Sequence, residues 1–400
     1  MRGHTDDGTG FPVGDRWLTL QRPHPGGPGA RAWDAADEQL VAEARRLVSA
    51  GQRVAVVDDT FGALALGLAG LDPVVIADSA ALADALGRNA DANRMAAPAV
   101  RSWYQPREEG AGLDTRAGVD PFDAVILKVP RQLDYLEFLL RWSNQVLAPG
   151  GRLLTGGMIK HLPDQAARLY QRLVHTRSVL PARKKARLVV CSAGTLTLAD
   201  WPGLWKGYQP PGFAAPLMAL PAVFAREQLD IGTRELLPFV PESVAPLAVG
   251  ARVLDLACGN GILGLAALSA RADLGVTWAD ISSQAVASAR ANLHASGRDN
   301  GRSEFVQCDG VPSDGRGWQR ILLNPPFHEG GAVGDHIARR LFAEAADALT
   351  PDGELLMVGN RHLGYHRSLR TVFTVVEQLQ ATPKFVVFRA SRPRQRGGRS

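Results

Sequence analysis

Asn324-Pro325-Pro326-Phe327 is the stretch of this 400-residue chain whose residue types narrow the chemistry most. It follows the apolar run Ile321-Leu322-Leu323, so a buried strand delivers it to the carboxyl edge of a sheet. A planar exocyclic amine is a weak nucleophile, because its lone pair is delocalised into the ring. Two acceptors, the Asn324 side-chain oxygen and the Pro325 carbonyl, can hold both of its protons and aim the nitrogen lone pair at an electrophile. Consecutive prolines, Pro325 and Pro326, stiffen the backbone that carries those acceptors. Phe327 offers a face on which an extruded base can stack. Catalysis of this kind is mostly orientation of two bound reactants and requires neither a metal nor a strong general base. A proline-rich loop with a core phenylalanine would use the same residue types.

A second constellation lies upstream. Asp255-Leu256-Ala257-Cys258-Gly259-Asn260-Gly261-Ile262-Leu263-Gly264 follows an expected strand and opens an expected helix, so its glycines let a ligand approach the backbone at the strand's carboxyl end. Gly259-x-Gly261-x-x-Gly264 alone would equally serve a dinucleotide, or make a tight turn with no ligand. Asp255 shifts the reading: an acid before the glycines does not suit a pyrophosphate, but it suits the cationic amino group of a methionine moiety. The expected cofactor is therefore S-adenosylmethionine. Asp280 ends the next strand 19 residues after Gly261, where a carboxylate can accept both hydroxyl protons of a ribose. It could also serve the start of a helix beside Ser282 and Ser283. Asp309 follows a third strand and could accept from an adenine amino group, although Asp309-Gly310 is also a plain turn signal.

Short apolar runs alternating with helical patterns must position these residues, and that alternation predicts an α/β fold with a parallel sheet. In the C-terminal half strands are expected near 252–257, 275–280, 303–308, 319–323 and 354–359, then 372–379 and 384–389. Ile337, Leu341, Ala345 and Leu349 recur every four residues as one face of a helix, after which Pro351-Asp352-Gly353 turns the chain into a strand. Pro202, Pro210, Pro211, Pro216 and Pro221 predict a domain boundary near 215. The halves also resemble each other. Val54 to Gly62 and Val253 to Gly261 stand 199 positions apart; Ala77-Asp78 matches Ala279-Asp280, Lys128-Val129-Pro130-Arg131 matches Asn324 to Phe327, and Pro149-Gly150-Gly151 matches Pro351 to Gly353. The expected organisation is two tandem Rossmann-like domains. Residues 1–215 form a degenerate copy, with Val56 for Asp255, Thr60 for Gly259 and Lys128 for Asn324, and residues 216–400 form the catalytic one. Lys128, Arg131 and the Arg183-Lys184-Lys185-Ala186-Arg187 cluster of the first copy are expected to neutralise RNA phosphates.

Composition bounds the rest. A net charge of +5 permits a polyanionic partner without demanding one, and a second basic cluster runs from Arg389 to Arg399. Cys191, Cys258 and Cys308 form no CxxC pair and no metal-ligand spacing. No stretch reaches the roughly 18 uninterrupted apolar residues of a membrane span. Two acids and a glycine among the first seven residues stand where a secretory signal would be basic and then apolar. A cytoplasmic protein with no metal and no membrane partner is expected; the number of copies in an assembly is not encoded in any motif.

These residues resemble the class I methyltransferases acting on amino nitrogens. With Phe224 to Gly232, Gly334 to Ala338, Gly359 to His366 and Lys384 to Val387, the chain is similar to the bacterial ribosomal RNA guanine-N2 methyltransferases, most of all their large-subunit branch. The C-terminal resemblance runs from about residue 222 to 390, and the eroded N-terminal copy is itself a feature of that family; the resemblance implies guanine, N2 and 23S ribosomal RNA. Ala257 stands where Gly is more usual. Competing expectations are the same chemistry on small-subunit RNA, on an adenine N6 or on a protein glutamine. Further off are a dinucleotide oxidoreductase, which leaves Asn324 to Phe327 unused, and an RNA-binding factor without activity.

Overall fold

A computed structural model describes residues 10–23, 30–103, 120–162, 164–313, 315–326, 328–329, 332–333 and 336–394. The chain divides into two compact units, one ending at Leu204 and the next starting at Trp205. The break precedes the proline-based position of 215 because a short hairpin, Lys206–Tyr208 with Leu217–Ala219, belongs to the second unit. The Asn292 side chain holds that hairpin by accepting from the Met218 amide (2.8 Å) and donating to its carbonyl (2.7 Å).

Each unit is an α/β domain built on a seven-stranded sheet. Numbering only the strands of these sheets, the first contains β1 (Val54–Val57), β2 (Val74–Ile76), β3 (Val100–Arg101), β4 (Phe122–Lys128), β5 (Leu147–Met158), β6 (His175–Val179) and β7 (Ala186–Ser192). The second contains β8 (Arg252–Leu256), β9 (Gly275–Asp280), β10 (Glu304–Gln307), β11 (Trp318–Leu323), β12 (Leu349–Asn360), β13 (Phe373–Ala381) and β14 (Phe385–Pro393). Spatial order is 3-2-1-4-5-7-6 in one and 10-9-8-11-12-14-13 in the other, with β7 and β14 antiparallel to their neighbours. The central strands read as continuous apolar runs because helices cover both faces. In the second unit Val253, Leu322 and Leu356 pack into one core, while Leu254, Ile321, Leu323 and Leu355 pack into the other.

The helices used below are α1 (Ala35–Leu47), α2 (Ala63–Gly67), α3 (Ala81–Ala92), α4 (Ile231–Leu236), α5 (Ile262–Ala270), α6 (Ser283–Ser296) and α7 (His336–Ala348). Leu341 and Ala345 are buried on α7 as the periodicity predicts, but Leu349 already belongs to β12. Pro351 to Gly353 is not a turn before a strand. It bulges within β12, whose Leu349 faces Trp318 while Glu354 faces Arg320. β5 carries the same irregularity, with Leu147 facing Phe122 and Arg152 facing Ala124. A bulge sharpens local twist and is retained as a feature of the fold.

Register ties the two copies together. Val56 pairs with Ile126 and Val75, as Asp255 pairs with Leu322 and Trp278, which sets Lys128 at the position of Asn324. It corrects one landmark: Ile76 stands at the position of Ala279, so Ala77, not Asp78, occupies the place of Asp280. Asn89 of α3 and Asn292 of α6, both buried, make matching bonds. Asn89 Nδ2 donates to the Phe61 carbonyl (2.8 Å) and its Oδ1 accepts from Gln21 N (2.8 Å); Asn292 Nδ2 donates to the Asn260 carbonyl (2.9 Å). Asn292 thus joins its hairpin to the loop after the central strand, and Asn89 joins the corresponding loop to Gln21, just beyond a hairpin of Gly10–Val13 with Arg16–Thr19.

Asn292→Ala should strip partners from buried backbone groups and destabilise the second unit by about 1–3 kcal/mol. Urea unfolding of the full chain checks this: an unchanged transition for that unit would show that the hairpin is held by other contacts.

Candidate active site

The site lies where β8 and β11 meet, the point at which strand order reverses and ligand crevices form in open α/β sheets. Leu256 pairs with Leu323, so Ala257 and Asn324 leave adjacent strand ends side by side. Ala257 has φ 56°, a left-handed conformation that costs an alanine roughly 1–2 kcal/mol. Asp58 at the corresponding place in the first unit also has φ 56°. This accounts for glycine as the more usual residue there.

The loop glycines divide by role. A Cβ on Gly261 (φ 84°) would lie 2.8 Å from Ala289 Cβ and 3.1 Å from Trp278 Nε1, so packing against α6 and β9 requires its glycine. A Cβ on Gly259 (φ 55°) meets nothing within 4 Å and would project into open space above the loop. Asp255 is wholly buried beneath it, and its Oδ2 accepts from the Gly264 amide (2.8 Å) at the start of α5. Its Oδ1 accepts from no described residue, and burial, followed at a distance by Asp280, pushes the carboxyl well above the usual range. In the first unit Asp59 caps the equivalent amide, Ala65 of α2 (2.9 Å), so a different carboxylate braces the eroded loop.

Asp280 links the two strand ends. Its Oδ2 accepts from Gly259 N (2.9 Å) and its Oδ1 from Ser282 N (2.9 Å), while Ser282 caps α6 through Ala285 N. The next residue, Ile281, is 38% exposed and supplies an apolar face that the sequence reading passed over. Asp309 is held differently: its carboxylate pairs with Arg340 of α7, which also donates to the Asp309 carbonyl (3.2 Å). Burial pushes the Cys258 thiol well above its usual range, as do Asp280 and Asp255, which leaves it unreactive as a nucleophile.

Asn324 is the best-defined element. Its Nδ2 donates to Asp230 Oδ2 (3.0 Å) and to Thr233 Oγ1 (2.9 Å), which uses both amide hydrogens. Its Oδ1 is buried and accepts from no described residue. Pro325 is buried and Pro326 exposed; Phe327 lies outside the described residues. Asp230 was legible only as part of the Phe224 to Gly232 segment, without a role, and Thr233 lies just beyond it. Lys128, expected to face RNA phosphates, instead donates to Asp34 Oδ1 (2.8 Å) and Asp37 Oδ1 (2.5 Å) at the start of α1. Among the described residues no helix is long and apolar enough to cross a membrane, and no group of three or more His, Cys, Asp or Glu could hold a metal.

Comparison with known proteins agrees with this division. Residues 9–195 match the RLMG N-terminal domain, and residues 214–389 match the methyltransferase small domain. The chain is 39% identical over 378 residues to the ribosomal RNA large subunit methyltransferase G of Pseudomonas paraeruginosa (strain PA7), covering 93% of this chain and 96% of that protein. The chain belongs to the ribosomal RNA large subunit methyltransferase G family. The family protein of Pseudomonas aeruginosa PAO1 is 40% identical over 93% of this chain and 96% of its own length, and that of Pseudomonas putida GB-1 is 38% identical with the same coverage. Among solved structures, the 16S rRNA N2 G1207 methyltransferase of T. thermophilus, in complex with AdoMet and guanosine, superposes with a TM-score of 0.72 at 23% identity. It covers 96% of this chain and 97% of that one, and shows that both domains of the family member share its fold.

The strand end of the first copy has become acidic. Burial and then Asp78 push the Asp58 carboxyl up to about 7, opposed by a hydrogen bond from the Tyr135 hydroxyl (3.0 Å). An unfolded aspartate titrates near 3.9. The folded state therefore holds this proton more tightly, and its contribution to stability, complete below about pH 4, is lost as pH rises toward about 7. Asp58→Asn, which fills the same space without ionising, should flatten the fall in first-unit stability between about pH 4 and 7. Thermal unfolding of both proteins across that range is the check, and identical pH profiles would refute it.

Proposed function

We propose that the C-terminal unit, residues 216–400, binds S-adenosylmethionine and transfers its methyl group to the exocyclic N2 amine of a guanine in 23S ribosomal RNA, and that residues 1–215 hold RNA and bind no cofactor. One observation carries the reading: at the end of β11 a half-buried asparagine has both amide hydrogens committed, and its buried Oδ1 accepts from no described residue. An acceptor so placed fits a donor such as the guanine amine. The Pro325 carbonyl is the second acceptor, and together they hold both amine protons while the nitrogen lone pair points away from them. Positive charge grows on that nitrogen during transfer, so both hydrogen bonds strengthen in the transition state relative to the ground state. Phe327 follows as the stacking face for the base.

The cofactor fits the rest of the crevice. S-adenosylmethionine supplies an electrophilic methyl group on sulfonium. The open side of Gly259 suits the ligand, the Asp280 carboxylate at the neighbouring strand end suits its ribose hydroxyls, and Ile281 can lie against adenine. Asp255 has no exposed surface, so it serves the methionine end of the crevice through the backbone it holds. Asp309 reaches adenine only if it shares its carboxylate with Arg340. The large-subunit names of the relatives support 23S RNA as substrate, which implies a cytoplasmic enzyme. On the N-terminal unit Arg131, Arg183, Lys185 and Arg187 are exposed and can meet phosphates, while Lys184 pairs with Glu38 (2.7 Å).

Asn324→Ala should abolish methyl transfer while S-adenosylmethionine affinity stays within several-fold of the parent. Asp280→Ala should instead weaken cofactor binding by about 1.5–3 kcal/mol, the scale of a lost hydrogen bond to a charged group. Turnover on ribosomal RNA, calorimetry on the same preparations and mass-spectrometric mapping of the product test these outcomes together. Near-normal turnover of the Asn324 variant, or a methyl group found on any nucleotide other than a 23S guanine, would overturn the reading.

A further inference from the structure

An asparagine amide can present its oxygen or its nitrogen to a substrate, and only the oxygen can hold an amine. What sets the choice at Asn324 is a contact reaching 94 positions back along the chain. Asp230 is the N-cap of α4, and its Oδ2 accepts from the Thr233 amide (2.8 Å) as well as from Asn324 Nδ2 (3.0 Å). A carboxylate only accepts, so the opposite orientation would set the Asn324 oxygen against it. Thr233 Oγ1 takes the second amide hydrogen (2.9 Å) and completes the constraint.

The first unit keeps the link with other chemistry. Asp34 is the N-cap of α1 and forms a capping box with Asp37, and Lys128 at the end of β4 donates to both. The N-cap acid is the same in both copies. The residue three places on and the strand-end residue differ together, Asp37 with Lys128 against Thr233 with Asn324, so that donors and acceptors stay matched. Lys128 has no acceptor to offer a substrate. In the second unit the matched set leaves one acceptor over.

We infer that Asp230 and Thr233 are positioning residues for methyl transfer: they hold Asn324 in the orientation that turns Oδ1 toward the target amine, and the Asp230 charge polarises the amide so that Oδ1 accepts more strongly. This rests on the proposed methyl transfer at Asn324. Polarisation acts where charge develops on the amine, so its loss reduces kcat and spares ground-state binding.

The test uses the full-length protein with Asp230→Asn, Thr233→Val and Thr233→Ser. Thr233 meets the Asp230 cap through its backbone amide, so exchange of its side chain leaves the cap in place. Asp230→Asn should lower kcat about 10- to 100-fold and Thr233→Val about tenfold, with KM for RNA and the cofactor dissociation constant within about threefold of the parent. Thr233→Ser, which restores an acceptor, should recover most of the rate lost in the valine variant. Parental kcat in both Asp230→Asn and Thr233→Val would overturn the positioning role while leaving the methyl-transfer reading intact. The same follows if kcat falls only in step with thermal stability, or if serine rescues no better than valine. A parent protein that methylates no ribosomal RNA would overturn both.

Discussion

The Asp230 carboxylate receives hydrogen bonds from two directions, the Thr233 amide at the start of α4 and the Asn324 side chain at the end of β11. A helix terminus and a strand terminus thereby share one acceptor, and the position of each depends on the other. The remaining parts of the crevice are arranged around that joint. β8 pairs with β11 so that the glycine loop starts beside Asn324, Asp280 ties the loop back to β9, and Asp255 fastens it to α5 from below. Asp230, Asp280 and Asp255 are each a carboxylate bonded to a backbone amide. In the proposed reaction the acceptors that face the substrate are held in place by such bracing, and orientation of two bound reactants is what the bracing supplies.

The N-terminal unit shows what the same scaffold becomes when nothing needs to be left over. Its strand order, its bulge in β5, its left-handed residue after β1 and its bridging Asn89 repeat those of the second unit. Asp59 takes over the brace that Asp255 provides. The strand-end ammonium of Lys128 is shared by Asp34 and Asp37, and burial, with smaller contributions from Asp34 and Asp59, holds the Asp37 carboxyl above its usual range against the pull of Lys128. An internal ion-pair cluster closes the position from which a substrate would be held. Its desolvation cost is met by multiple partners at hydrogen-bond distance, the condition under which a buried pair is tolerated.

Strands, duplication and the place of the tetrapeptide at a strand end were legible in the sequence because each depends on local pattern: apolar runs, glycine spacing and consecutive prolines. What remained hidden depends on contacts across the fold. Lys128 reads as a free cation until α1 delivers Asp34 and Asp37 to it. Asp309 reads as a ligand acceptor until α7 brings Arg340. Asp255 keeps its place in the motif, yet whether it touches a ligand or braces a loop is a matter of burial. Asp78 looks like the partner of Asp280 by residue type, whereas sheet register gives that position to Ala77. The role of Asp230 had no local signal beyond an acid before an apolar helix start, the pattern of any N-cap.

The central claim is that one of two like-folded units carries the reaction because its strand ends leave acceptors open, while the other has closed them. Calorimetric titration of the full chain with S-adenosylmethionine tests it most directly. One cofactor per chain, with binding weakened by Asp280→Ala, is the predicted result. Two per chain would contradict the account, and so would one per chain that is indifferent to Asp280.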